Sequence, residues 1–309
     1  MKKRILILVS VVLFVAAVLF GTWFFVLPAT AAMSDEDYSR LVDAQTIWQN
    51  SMDDRIALTE VYHVMVQHML GQEGEQPRKL LFIVYDGALA SSAGMRAAQY
   101  PDSPIGTFAA RGNLWLSFAG GAVSGDQTTD TSAGFASMFT GVWADQNGVV
   151  TNSCTLLPET RTILHRLHTA GMRARFSFSW RAHGSVNYRL EAEESPALFD
   201  FARTDAGTVS SMLEAIENGY DAIFGSLEHT DRWGHITGFH HNNPFYRRAF
   251  ATAEADAARL IAAAQVRAQA YGEDWLIIIA SDHGGIGTDH GGTSLMENTT
   301  WFASNQAIF

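Results

Sequence analysis

Cysteine, positive charge and long apolar runs are all scarce in this chain, and each scarcity excludes something. A single cysteine among 309 residues, Cys154, cannot form an internal disulfide, so stability has to come from packing or from bound metal. Lys and Arg number 21 against 32 Asp and Glu, a formal net charge of −11. A nucleic-acid duplex is therefore not the expected partner, because binding a phosphate backbone needs a basic face. A small phosphate-bearing molecule stays open if metal ions supply the positive charge. Internal repeats and low-complexity tracts are also missing, which sets aside repeat arrays and disordered tails.

Only one apolar run is long enough to cross a bilayer. Residues 5–27 carry no charge and follow Lys2, Lys3 and Arg4, which reads as an uncleaved single-helix anchor held with its short basic end in the cytoplasm. The competing reading is a signal peptide cleaved near Ala29-Thr30-Ala31. Both place the remainder outside the cytoplasm, membrane-bound in the first case and secreted in the second. Residues 1–32 are thus an anchor or signal segment. Residues 33–78 read as a helical membrane-proximal segment, a stalk or a helix packed on the next domain, since Leu41, Ile47, Trp48, Met52, Ile56, Val61, Val64 and Met65 recur at helical spacing behind a capping Ser34.

What is abundant is hydrophobic residues, 47% of the chain, enough for a sizeable core over residues 79–309. There, β-type apolar runs at 80–85, 172–178, 222–226, 275–280 and 300–303 alternate with helical patterns at 133–139, 160–170, 209–217 and 244–270. That alternation predicts an α/β domain with a mostly parallel central sheet and helices on both faces. In such sheets ligands bind beyond the carboxyl ends of the strands, so polar residues just after each apolar run carry the interest.

Asp86 ends the run Leu81-Phe82-Ile83-Val84-Tyr85; by itself it reads equally as a turn cap. Asp282-His283 ends the run 275–281 ahead of two glycines, which let neighbouring residues bend toward one ion. His290 follows between glycine pairs. Asp231 and His235, at i and i+4, would share one face of a helical turn. Thr131, in Thr129-Asp130-Thr131-Ser132-Ala133-Gly134, precedes a short helical pattern, where free N–H groups favour an alkoxide and a bound phosphate; alone it is an ordinary N-cap. His229, His240 and His241 are left over and read as surface or supporting residues.

Taken in order, Asp86, Thr131, Asp231 with His235, Asp282-His283 and His290 resemble the metal and nucleophile series of the alkaline phosphatase superfamily. The segment from Thr131 to Gly141 resembles its nucleophile motif, with threonine as in the nucleotide pyrophosphatase/phosphodiesterase branch. Trp180-Arg181-Ala182-His183-Gly184-Ser185 approximates a Trp-x-Gly-Ser segment of the same branch. The resemblance implies two divalent metal ions, zinc first with manganese or magnesium as alternatives. One would be held by Asp86, Asp282 and His283 with Thr131 bridging to substrate, the other by Asp231, His235 and His290. It implies metal-dependent hydrolysis of a phosphodiester or nucleotide pyrophosphate bond through a phosphothreonine. Arg181 and His183 become candidate substrate contacts. The diesterases' assisting Asn, three residues past the nucleophile, is replaced here by Gly134.

The alternatives are an alkaline-type phosphomonoesterase, a membrane phosphoethanolamine or phosphoglycerol transferase, and a non-catalytic binding protein on the same fold. A sulfatase is excluded because Cys154-Thr155-Leu156 does not fit the Cys/Ser-x-Pro-x-Arg segment those enzymes modify. With His290 close to the last residue, either an open pocket or a shortened chain is expected.

Overall fold

The computed structural model describes residues 32–71, 74, 76–120 and 127–309. The predicted membrane anchor lies outside them, and among the described residues no helix is long and apolar enough to cross a membrane.

Eight strands form one sheet: β1 (Ile56–Ala57), β2 (Arg78–Tyr85), β3 (Leu114–Phe118), β4 (Ala174–Phe178), β5 (Phe199–Phe201), β6 (Ala222–Leu227), β7 (Asp274–Ala280) and β8 (Thr299–Ser304). Their order is β1-β3-β8-β7-β2-β6-β4-β5. Only β8 runs against its neighbours β3 and β7; every other pairing is parallel. Its main helices are α1 (Asp35–Asp43), α2 (Glu60–Leu70), α3 (Ala90–Gln99), α4 (Pro104–Ala109), α5 (Thr131–Thr140), α6 (Ile163–Thr169), α7 (Asp205–Glu217), α8 (His229–Thr237) and α9 (Pro244–Tyr271).

The central strands are apolar on both sides because both sides are covered. Along β2, Leu81, Ile83 and Tyr85 enter the core under α1, α3, α4, α7 and α9, while Leu80, Phe82 and Val84 enter the core under α2, α5 and α6. The same alternation splits Trp275, Ile277 and Ile279 from Leu276, Ile278 and Ala280 on β7. Period-two side chains facing two helical layers make the fold the mostly parallel α/β arrangement predicted from the runs.

The membrane-proximal segment differs from the single long helix read from its spacing. It forms α1, an irregular stretch, β1 and α2, and it does not stand off as a stalk: Tyr38 and Val42 are fully buried in the core. Asn50 explains the break. Its side chain accepts from Leu116 N at 2.7 Å and donates to Leu116 O at 2.9 Å, acting as one rung of a strand beside β3.

Candidate metal centre

β2 lies between β7 and β6, so the carboxyl ends of these three adjacent strands deliver Asp86, Asp282-His283 and the start of α8 to one place. Gly87, at φ +62°, turns the chain just after Asp86, and a Cβ there would come within 3.0 Å of Asp231. Close approach of the β2 and α8 loops therefore requires glycine. Tyr246 on α9 pins the same turn, its hydroxyl donating to Gly87 O at 2.5 Å and accepting from Leu89 N at 3.0 Å.

Thr131 opens α5. Its Oγ1 lies 3.1 Å from His283 Nε2 and 3.4 Å from Asp86 Oδ1. Asp86, Asp282 and His283 offer ligand atoms all within 4.8 Å of one another, and so do Asp231, His283 and His290. His235 adjoins this second group: its Nε2 lies 3.4 Å from Asp231 Oδ2, as the i,i+4 spacing on α8 predicts. His290 Nε2 lies 3.5 Å from Asp231 Oδ1. The structure thus brings the six predicted ligand residues together beside Thr131. The first group is buried, whereas Asp231 and His290 are half-buried and His235 is exposed, so the centre opens on the side of α8.

The three imidazoles are oriented alike. Nδ1 of His283, His235 and His290 meets the backbone carbonyl of Gly284 (2.6 Å), Thr288 (2.8 Å) and Thr129 (3.1 Å). An Nδ1–H donated to a carbonyl leaves the Nε2 lone pair of the neutral ring free to bind an ion. Asp130 Oδ1, 3.3 Å from His290 Nδ1, adds a carboxylate behind that ring. Three carboxylate oxygens, Asp86 Oδ2, Asp282 Oδ2 and Asp231 Oδ1, are buried with no hydrogen-bond partner. Unpaired buried carboxylates carry a large desolvation cost, which a cation between them removes.

Electrostatics point the same way. Burial, then the charges of Asp282, Glu228 and Asp231, push the Asp86 acid well above the usual carboxylate range. Burial raises Asp282 as well. Glu228, behind Asp86, is pushed up to about 8, again mainly by burial. Burial pulls the His283 imidazole down, but Asp282 and Asp231 outweigh it and leave its pKa raised. These acids share a dry, negative pocket whose donor set of carboxylates and imidazoles fits divalent ions such as zinc.

Two sequence-predicted substrate contacts are not part of this centre. His183 is fully buried among Phe135, Phe176, Phe178, Trp180 and Tyr188, with both ring nitrogens unpartnered. Enclosed by aromatic rings, it reaches no substrate, and its role is packing. Arg181 is exposed past the end of β4, its guanidinium 6.0 Å from the centroid of the Phe201 ring. The leftover His229 bridges helices instead, with Nδ1 3.1 Å from Asp205 and Nε2 3.2 Å from Asp256.

Sequence reasoning missed Asn152. Its Oδ1 accepts from Ser132 N at 2.9 Å, at the first turn of α5 beside Thr131. Its amide donors have no partner among the described residues. The Asn sought at position 134 cannot stand there, because a Cβ on Gly134 would lie 2.6 Å from the carbonyl oxygen of Asp282. A carboxamide reaches the helix start from a different loop, and its only sequence signal was a polar residue in a turn.

No protein-family model matches the chain, and no curated protein does either. Solved structures do match. The candidate sulfatase yidJ from Bacteroides fragilis aligns with TM-score 0.50 at 10% identity, over 75% of this chain and 69% of that one. Alkaline phosphatase from the Antarctic bacterium TAB5 aligns with TM-score 0.49 at 13% identity, over 75% and 92%. Murine ectonucleotide pyrophosphatase/phosphodiesterase 5, as an inactive threonine-to-alanine variant in complex with AMP, aligns with TM-score 0.48 at 16% identity, over 67% of this chain and 57% of its own. At these identities the likeness is one of fold. The chain shares the fold of that candidate sulfatase, with the mostly parallel α/β sheet that the apolar runs predicted.

Proposed function

We propose that the chain is a metal-dependent phosphoric ester hydrolase with Thr131 as nucleophile, acting on a phosphodiester or nucleotide pyrophosphate bond. The observation that carries this reading is the threonine oxygen at a helix N-terminus, 3.1 Å from His283 Nε2 and 3.4 Å from Asp86 Oδ1, beside the three orphan carboxylate oxygens. Asp86, Asp282 and His283 would hold one ion, and Asp231, His235 and His290 the other. When bound, such ions supply Lewis-acid polarisation of the phosphoryl oxygens and favour the alkoxide of the nucleophile.

The protein's own residues do the rest. Thr131 Oγ1, at the start of α5, would attack phosphorus in line, and the helix's N-terminal dipole favours the negative charge that builds there. The Thr131 O–P bond forms as the leaving-group oxygen departs, and the hydroxyl proton is released; water then attacks phosphorus and frees Thr131. The unpartnered amide of Asn152 is placed to donate to a phosphoryl oxygen. Half-buried Asp231 and His290 and exposed His235 open the centre to solvent on one side, where a second ester group would lie, and this supports the diester reading over a monoester. The apolar run at 5–27 supports membrane attachment, with the centre outside the cytoplasm.

The test compares bis-p-nitrophenyl phosphate with p-nitrophenyl phosphate on zinc- or manganese-loaded protein. Faster turnover of the diester is expected. Turnover of neither would overturn the enzymatic reading, and a faster monoester would move it to a phosphomonoesterase.

A further inference from the structure

A second cavity, of about 300 Å³, lies between α3 and the first turns of α9. Behind it, Tyr85 and Phe250 meet edge to face at 5.7 Å, and Tyr85 directly precedes Asp86 in the chain. In a chain with a formal net charge of −11, this cavity is lined by three arginines, Arg96, Arg247 and Arg248. Arg248 makes no side-chain hydrogen bond or ion pair among the described residues. Arg247 donates to Gln99 Oε1 at 3.2 Å and has no carboxylate partner there. Only Arg96 has one, Glu254, at 3.6 Å.

The cavity wall also includes Ser92 and His241, each 6% exposed. Arg96 is engaged, its Nε on Glu254 and its guanidinium 3.9 Å from the Tyr100 ring centroid. Arg247 and Arg248 are therefore the cations of this wall left to meet an anion, and guanidinium groups pair with one by charge-assisted hydrogen bonds. Nearby N–H groups of α9 are not what would bind it, since Asn243 Oδ1 already accepts from Phe245 N and Tyr246 N. The side chains are. Met95, Tyr100 and Phe250 supply an apolar flank.

We propose that this cavity binds a small organic anion, its carboxylate or phosphate held by Arg247 and Arg248 beside Arg96, and its apolar body lying against Met95, Tyr100 and Phe250. Guanidinium forks match the paired acceptors of both head groups. The volume sits at the small end of ligand pockets, roughly 300 Å³ and upward. This site is separate from the Thr131 centre and does not depend on the reaction assigned to it.

The experiment titrates metal-loaded protein calorimetrically with p-bromobenzoate and p-bromophenylphosphonate, then locates bromine by anomalous diffraction. Binding of either probe with bromine between α3 and α9 is expected; the better probe identifies the head group. The Arg247→Ala/Arg248→Ala double variant, altered only at exposed positions, should weaken that binding about tenfold or more while ester turnover stays unchanged. Binding of neither probe, bromine only beside Thr131, or equal affinities in wild type and double variant would overturn the proposal.

Discussion

His183 shows how a single side chain can look functional and be structural. Burial holds its imidazole down to about 3, against an ordinary value of 6.5, so the folded chain refuses a proton that the unfolded chain accepts. Stability from this group is complete above pH 6.5 and erodes as pH falls toward about 3. His183→Leu removes both unpartnered nitrogens and that erosion. The variant should be at least as stable as wild type at neutral pH, and its advantage should grow by about 1.4 kcal/mol per pH unit below that value. Urea midpoints at several pH values check this, and an advantage that stays flat with pH would contradict the assignment. Nothing in the local sequence Trp180-Arg181-Ala182-His183 shows that aromatic rings from β4 and α5 close over the ring. Asn152 is the converse case: a turn residue that gains meaning only because the fold sets its carboxamide on Ser132 N.

Among the elements, α5 has the least freedom. All ten of its residues are buried, and Gly134 rides against the Asp282 carbonyl, so the helix that opens with Thr131 and the end of β7 are set at a fixed spacing. Gly134→Ala should force the two apart, costing about 1–3 kcal/mol in stability and lowering turnover more than substrate affinity. Unchanged stability together with unchanged kcat would mean that this contact does not position Thr131. Elements with uninterrupted apolar runs, β2 and β7 above all, were legible in the sequence because burial on both faces leaves no polar position. α8 was legible through Asp231 and His235. β1 was not, since two residues carry no period and its place beside β3 depends on pairing across some sixty residues, Ile56 with Ser117. Nor was the break between α1 and α2, because the Asn50 contact with Leu116 that stabilises it is invisible locally.

Across the whole molecule, the strand ends concentrate buried acid at one point, and fold stability should therefore follow metal and pH together. In metal-free protein, Asp86, Asp282 and Glu228 have raised pKa values; their contribution is present below the unfolded carboxylate range and is lost as pH rises through the folded values, about 8 for Glu228. Metal binding needs two of these, Asp86 and Asp282, deprotonated. Chelator treatment should lower the Tm, and the gain on returning zinc should widen as pH rises through the raised values of Asp86 and Asp282. A gain that does not change with pH would show that these carboxylates do not hold the ions.

The most direct measurement is an acid quench of metal-loaded protein during turnover, followed by peptide mass spectrometry. A phosphoryl group still carrying the substrate's remaining ester group, on the peptide containing Thr131 and absent from Thr131→Ala, is the expected result, with the variant still binding metal but nearly inactive. Turnover at the wild-type rate in Thr131→Ala would show that the threonine facing these carboxylates and imidazoles is not the nucleophile.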